Sequence, residues 1–132
     1  MKRIFLATAK GDSPDKIDGW KRELLAELPN AVIVDGYTDW QDNFSRCGGW
    51  NEWARDVAQG RDINGQARYD LFVCPYALVG RATAQILEAA MQSGKPVVLA
   101  SADGAQRVIG VMQVDAHSWK AGWELVTADH MA

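Results

Sequence analysis

LFVCPYALVGRATAQILEAAMQSGKPVVL, residues 71–99, is the stretch that decides the fold. It opens on Leu71-Phe72-Val73-Cys74, a run too apolar to have a wet face, and closes on Val97-Val98-Leu99, extending to Ala100. Between them an alanine-rich segment carries Ile86, Leu87, Ala90 and Met91 on one helical side, and Gly94-Lys95-Pro96 leads out of it. Two buried strands joined by a helix form a crossover unit. Strands without a polar face imply a parallel sheet covered on both sides.

The same alternation extends outward. Ile4-Phe5-Leu6-Ala7 reads as a first strand. Ser13 before Pro14 is a helix start, with an acceptor at the N-cap and then a residue whose missing N–H is not needed. Ile17, Trp20, Leu24 and Leu28 share a face of that helix, Pro29-Asn30 stops it, and Ala31-Val32-Ile33-Val34 is the second strand. A polar and aromatic loop is predicted from Tyr37 to Gly49, long enough to suspect a function. Trp50, Trp53, Ala54, Val57 and Ala58 predict a helix from 50 to the mid-sixties. Val108 to Val114 reads as a fifth strand, and Trp119 to Val126 as a short strand or a lid.

With right-handed crossovers these elements give an α/β, three-layer, flavodoxin-like (doubly wound) domain with a five-stranded parallel sheet. The whole chain, 1–132, is expected to form one domain. Ligands of such folds bind at the carboxyl ends of the strands. That edge gathers Ala7 to Gly11, Asp35 to Tyr37, Cys74 to Gly80 and Ser101 to Gly104 around one candidate pocket.

Composition narrows the partners. A formal charge of −3 lacks the basic excess of a duplex nucleic-acid binder. No apolar run is long enough to cross a bilayer, so no membrane partner is expected. The start, MKRIFLATAK, reads as a strand rather than a signal peptide. Cys47 and Cys74 lie far apart and only two histidines, His117 and His130, are present, so neither a metal nor any other cofactor is expected. A reducing cytoplasm is the expected compartment. Six tryptophans, at 20, 40, 50, 53, 119 and 123, are many for this length. Each reads either as core packing or as part of a pocket or interface; Trp119 and Trp123 would close over a flat ring or pack on a neighbouring subunit.

Two stretches say more. GRDINGQARYDLFVCPY, residues 60–76, carries an Asp-aliphatic-Asn-Gly motif and then an Asp before an apolar strand. VGRATAQILEAAMQSGKPVVL, residues 79–99, adds a small-residue helix start and Gly-Lys-Pro before the next strand. In this order and spacing, over residues 50–100, they resemble the nucleoside 2-deoxyribosyltransferase superfamily, which also includes nucleotide N-glycoside hydrolases. The resemblance implies a nucleoside or nucleotide ligand and covalent catalysis. A helix-borne Glu attacks the anomeric carbon and displaces the base, and acids beside the pocket orient and protonate it. It also implies a homo-oligomer, with sites built at subunit contacts.

Carried over by position, the resemblance assigns Asp62 to the acid near base or sugar, with Asn64 and Gly65 completing its motif. Asp70 becomes the Asp before the third strand, a structural place. Phe5 falls at the pocket floor, with Ala7 beside it, and Gly80 falls where some members place a second acid. The family pattern Gly-Thr-Ala-x-Glu reads Ala82-Thr83-Ala84-Gln85-Ile86 here, so Ile86 stands in the place of the nucleophile. Glu88 is the only carboxylate on that helix. A helix turns about 100° per residue, so Glu88 faces roughly 200° away from position 86. It belongs to a stripe with Gln85 and Gln92, the pattern of a solvent or interface face.

Other residues carry paired readings. Asp62 is a pocket acid or a cap of the second helix. Lys10 and Gly11 would meet a phosphate through a cation and backbone N–H groups, or form a plain surface turn. Arg81 and Thr83 would hold an anion at a helix N-terminus, or simply begin the helix. The leading expectation is transfer or hydrolysis at the N-glycosidic bond, with Asp62 and, if any helix carboxylate serves, Glu88. The alternative is a non-catalytic nucleotide binder that kept the pocket and lost the nucleophile. A structural or interaction domain is the third reading.

Overall fold

A computed structural model describes residues 3–8, 12–75, 81–99, 107–109 and 112–114. Among them ten elements succeed one another: β1 (Arg3–Leu6), α1 (Pro14–Glu27), β2 (Val32–Asp35), α2 (Gly36–Cys47), α3 (Trp50–Gln59), β3 (Leu71–Cys74), α4 (Arg81–Gln92), β4 (Val97–Leu99), β5 (Arg107–Ile109) and β6 (Met112–Val114). The first four strands form one parallel sheet in the order β2-β1-β3-β4. Leu6 lies between Asp35 and Val73, so the carboxyl ends of the central strands are level. This is the start of the flavodoxin-like order, and the direction of winding reverses between β1 and β3. Helices α3 and α4 pack on each other; by the right-handed rule for parallel crossovers, this strand order places them on the face opposite α1.

The burial matches the apolar runs of β1, β3 and β4, whereas β2, at the sheet edge, leaves Val32 exposed and Ile33 and Val34 half-buried. Ile4, Phe5, Leu6, Leu71, Phe72, Val73, Val97 and Val98 form the buried sheet, capped by Leu24 of α1, Val57 of α3 and Leu87 of α4. No helix among the described residues is long and apolar enough to cross a membrane.

Three expectations need correction. Among the described residues the sheet has four parallel strands, not five. The run from 108 to 114 divides into β5 and β6, an antiparallel pair with Ile109 opposite Met112.

The predicted loop from Tyr37 to Gly49 is α2 instead. Asp35 caps it by accepting from Thr38 N–H at 3.0 Å, and Gly48, at φ 91°, ends it in the left-handed conformation that glycine adopts without strain. Tyr37, Trp40, Phe44 and Cys47 recur at helical spacing, yet the intervening polar residues mask the period.

Helix α3 ends earlier than expected, at Gln59. The chain turns at Gly60, where a Cβ would collide with the Asp56 carbonyl oxygen. Residues 61–66 then form a turn organised by Asp62, whose Oδ1 accepts the N–H groups of Asn64 at 2.9 Å and Gln66 at 3.0 Å.

Candidate functional site

A cavity of about 430 Å³ opens at the carboxyl edge of the sheet, where the winding reverses. β1 contributes Phe5 and the adjoining Ala7 and Thr8, α2 contributes Gly36, Tyr37 and Trp40, and α3 contributes Trp50 and Trp53. Ala82, Thr83 and Ile86 of α4 complete the lining. Among the described lining residues none is charged, and the wall is largely aromatic.

The aromatic wall has a defined shape. The rings of Tyr37 and Trp40 lie 5.8 Å apart at 15°, and those of Trp40 and Trp50 lie 6.1 Å apart at 13°. Three near-parallel rings thus form an offset stack. Trp53 meets Trp50 edge-on, at 5.9 Å and 79°. Trp50 is half exposed at 52% and brings one end of this wall to the surface. Trp40 Nε1–H is buried and meets no acceptor among the described residues.

Gly36 keeps the cavity open beside β1. A Cβ there would come within 3.0 Å of Phe5 Cζ and 3.4 Å of Thr8 N. Thr8 Oγ1 accepts from Tyr37 N–H at 3.2 Å, which ties the end of β1 to the start of α2.

A buried polar cluster stands behind the wall. The Asp39 carboxylate accepts from Trp53 Nε1–H at 2.9 Å, and also from the Arg68 guanidinium and the Tyr69 hydroxyl. Arg68 reaches Asp56 with its other arm at 2.5 Å, and Arg46 meets the same Asp56 oxygen at 2.8 Å. Burial, and then the neighbouring Asp39, raise the Tyr69 phenol well above its ordinary value, so it remains a donor.

Among the sequence candidates, Phe5, Ala7 and Thr83 line the cavity, as does Ile86 at the nucleophile's place. Ile86 is buried while Glu88 is exposed, so the helical phase separates them as the spacing predicts. Asp62 and Asn64 lie elsewhere. Asp62 Oδ2 pairs with Arg3 Nη1 at 2.7 Å, and Arg3 opens β1 at the amino end of the sheet. Arg3 and Thr8 are five residues apart, roughly 16 Å along an extended strand. Asp70 accepts from Arg3 N–H at 3.0 Å, the structural role expected of it. The backbone of Arg81 begins α4 next to Ala82. Lys10, Gly11 and Gly80, together with His117, Trp119, Trp123 and His130, lie outside the described residues.

Sequence reasoning placed Tyr37 at this edge and read Trp40 as core or pocket, but it missed the helix that carries both, and with it Asp39; it also missed the Arg68–Tyr69 pair. The helix carried a signal in the spacing of 37, 40 and 44; Arg68 and Tyr69 carried none.

Comparisons with family models, with curated proteins and with solved structures returned no match.

Proposed function

We propose that the cavity binds a nucleoside or nucleotide with its base against the aromatic wall, and that the protein is a binder rather than a glycosidic-bond enzyme. The observation that carries this reading is the wall itself: near-parallel rings of Tyr37, Trp40 and Trp50, in a cavity where position 86 holds no carboxylate. Stacking on aromatic side chains is worth about 1–3 kcal/mol per base and suits any base. Cleavage with a helix nucleophile requires a carboxylate beside the anomeric carbon, and Glu88 is on the exposed side of α4. The homo-oligomer implied by the resemblance belongs to the same proposal, with sedimentation as its check.

The test is a panel of deoxynucleosides and their 5′-monophosphates. Thermal stabilisation, by about 2.7 kcal/mol at a ligand concentration a hundredfold above Kd, without free base on chromatography supports a binder. Release of base by the wild-type protein would overturn the non-catalytic reading. No stabilisation and no release would remove the nucleoside from the proposal altogether.

A further inference from the structure

Asp39 is 2% exposed and does not line the cavity, yet two cavity walls depend on it. Its Oδ1 holds the Trp53 indole at 2.9 Å. Its Oδ2 holds the hydroxyl of Tyr69, and Tyr69 stands edge-on to Phe5 at 5.3 Å and 68°. Trp53 and Phe5 come from different elements, α3 and β1, and both line the cavity. The Arg68 guanidinium anchors the carboxylate from behind and is itself held by Asp56.

A carboxylate accepts only, with two oxygens and about four lone-pair sites, so three donors converging on it leave little freedom of rotation. Trp and Phe have only two side-chain torsions each, and tying one polar atom or one ring edge sets the ring plane.

We propose that Asp39 is the positioning residue of the ligand cavity, fixing Trp53 directly and Phe5 through Tyr69, and so setting the slot that receives a flat ring. This rests on the cavity being a ligand site. Preorganised walls add affinity because ordering them is not left to the binding step. Removing the acceptor frees Trp53 to tilt and leaves three buried donors unpaired.

The test uses the full chain and compares Asp39→Leu, which has no acceptor, with Asp39→Asn, whose amide oxygen can still accept from Trp53. The readouts are the indole N–H resonance of Trp53, assigned with Trp53→Phe, and the Kd for a deoxynucleoside. In Asp39→Leu the Trp53 signal is expected to lose its downfield shift and its slow exchange with water. Its Kd is expected to rise roughly tenfold, the equivalent of one lost hydrogen-bonded anchor. In Asp39→Asn the signal should persist, but the amide NH2 replaces the oxygen that accepts from Arg68 and Tyr69, so Kd should rise about two- to fivefold, short of the Leu variant.

A folded Asp39→Leu with wild-type Kd and a protected Trp53 N–H would overturn the proposal. So would an Asn variant that keeps the Trp53 signal yet binds as weakly as the Leu variant, because the hold on Trp53 would then add nothing to binding. Should Asp39→Leu fail to fold, Tyr69→Phe removes only the hold on Phe5. It is expected to weaken binding about two- to fivefold, and an unchanged Kd there overturns the proposal. If the wild type binds no nucleoside, the proposed function falls. The Trp53 resonance in the free Leu and Asn variants then decides the positioning role alone.

Discussion

Replacing Ile86 by Ala tests the placement of α4 most directly. Ile86 is 2% exposed and lines the cavity. The change removes three carbons, at about 0.8 kcal/mol each, so the transfer contribution is about 2.4 kcal/mol. In a closed core, an added term of about 24 cal/mol per Å³ of new void would raise the loss toward 5 kcal/mol. Here the vacated space joins a cavity of about 430 Å³ that already admits water, so little new void is made. The expected loss therefore stays near 2.4 kcal/mol, and Tm falls by roughly 7–12 °C for a domain of this size. Glu88→Ala is the matched control. Glu88 is exposed two residues along the same helix, and its loss should stay within about 0.5 kcal/mol. Urea unfolding monitored by far-UV circular dichroism at fixed pH measures both. A loss above about 4 kcal/mol for Ile86→Ala would mean a closed core at that position. A Glu88→Ala loss equal to it would refute the helical phase on which the cavity assignment stands.

The same geometry makes three further outcomes measurable. Burial pushes the Asp35 carboxyl upward, but the Lys21 ammonium at 2.9 Å and the Thr38 donors outweigh it and hold it below its ordinary value of 3.8. Its stabilising effect is therefore present above that value and lost as pH falls through the lower folded value; acid titration of Asp35→Asn should show a flatter decline below about pH 4. Asp62→Ala should lower Tm by freeing Asn64 N–H, Gln66 N–H and Arg3, while calorimetric Kd for any cavity ligand stays unchanged because the turn is at the amino end of the sheet. Gly36→Ala should push the Phe5 ring into the cavity and weaken binding severalfold, while stability measured by urea unfolding changes by less than about 1 kcal/mol.

Much of the candidate site was within reach of sequence reasoning wherever a local period carried it. The stretch from 71 to 99 supplied β3, α4 and β4, and with them the position of Ile86, because a fully apolar strand and an amphipathic helix each have an unmistakable repeat. The phase of α4 likewise separated Ile86 from Glu88. Helix α2 was lost because aspartates, glutamine, asparagine and serine dilute its apolar face of Tyr37, Trp40 and Phe44. With it went most of the aromatic wall. The fifth strand differed because pairing, which no periodicity shows, sets 107–109 antiparallel to 112–114.

Asp62 marks the boundary between the two kinds of information. Its motif specifies a local turn, since a side chain that accepts the N–H groups two and four residues ahead acts within its own segment. Which end of the sheet that turn occupies depends on the pairing of β3 with β1 and on the reach of Arg3, 59 residues away. The same holds for Asp39, which meets Trp53, Arg68 and Tyr69 across separations of 14 to 30 residues. The sequence alone determined the four parallel strands, three of the helices and the face of α4, because those depend on neighbours along the chain. Tertiary structure alone decided which polar side chains stand behind the cavity and which stand at its far end, because that is set by contacts between segments and has no local repeat.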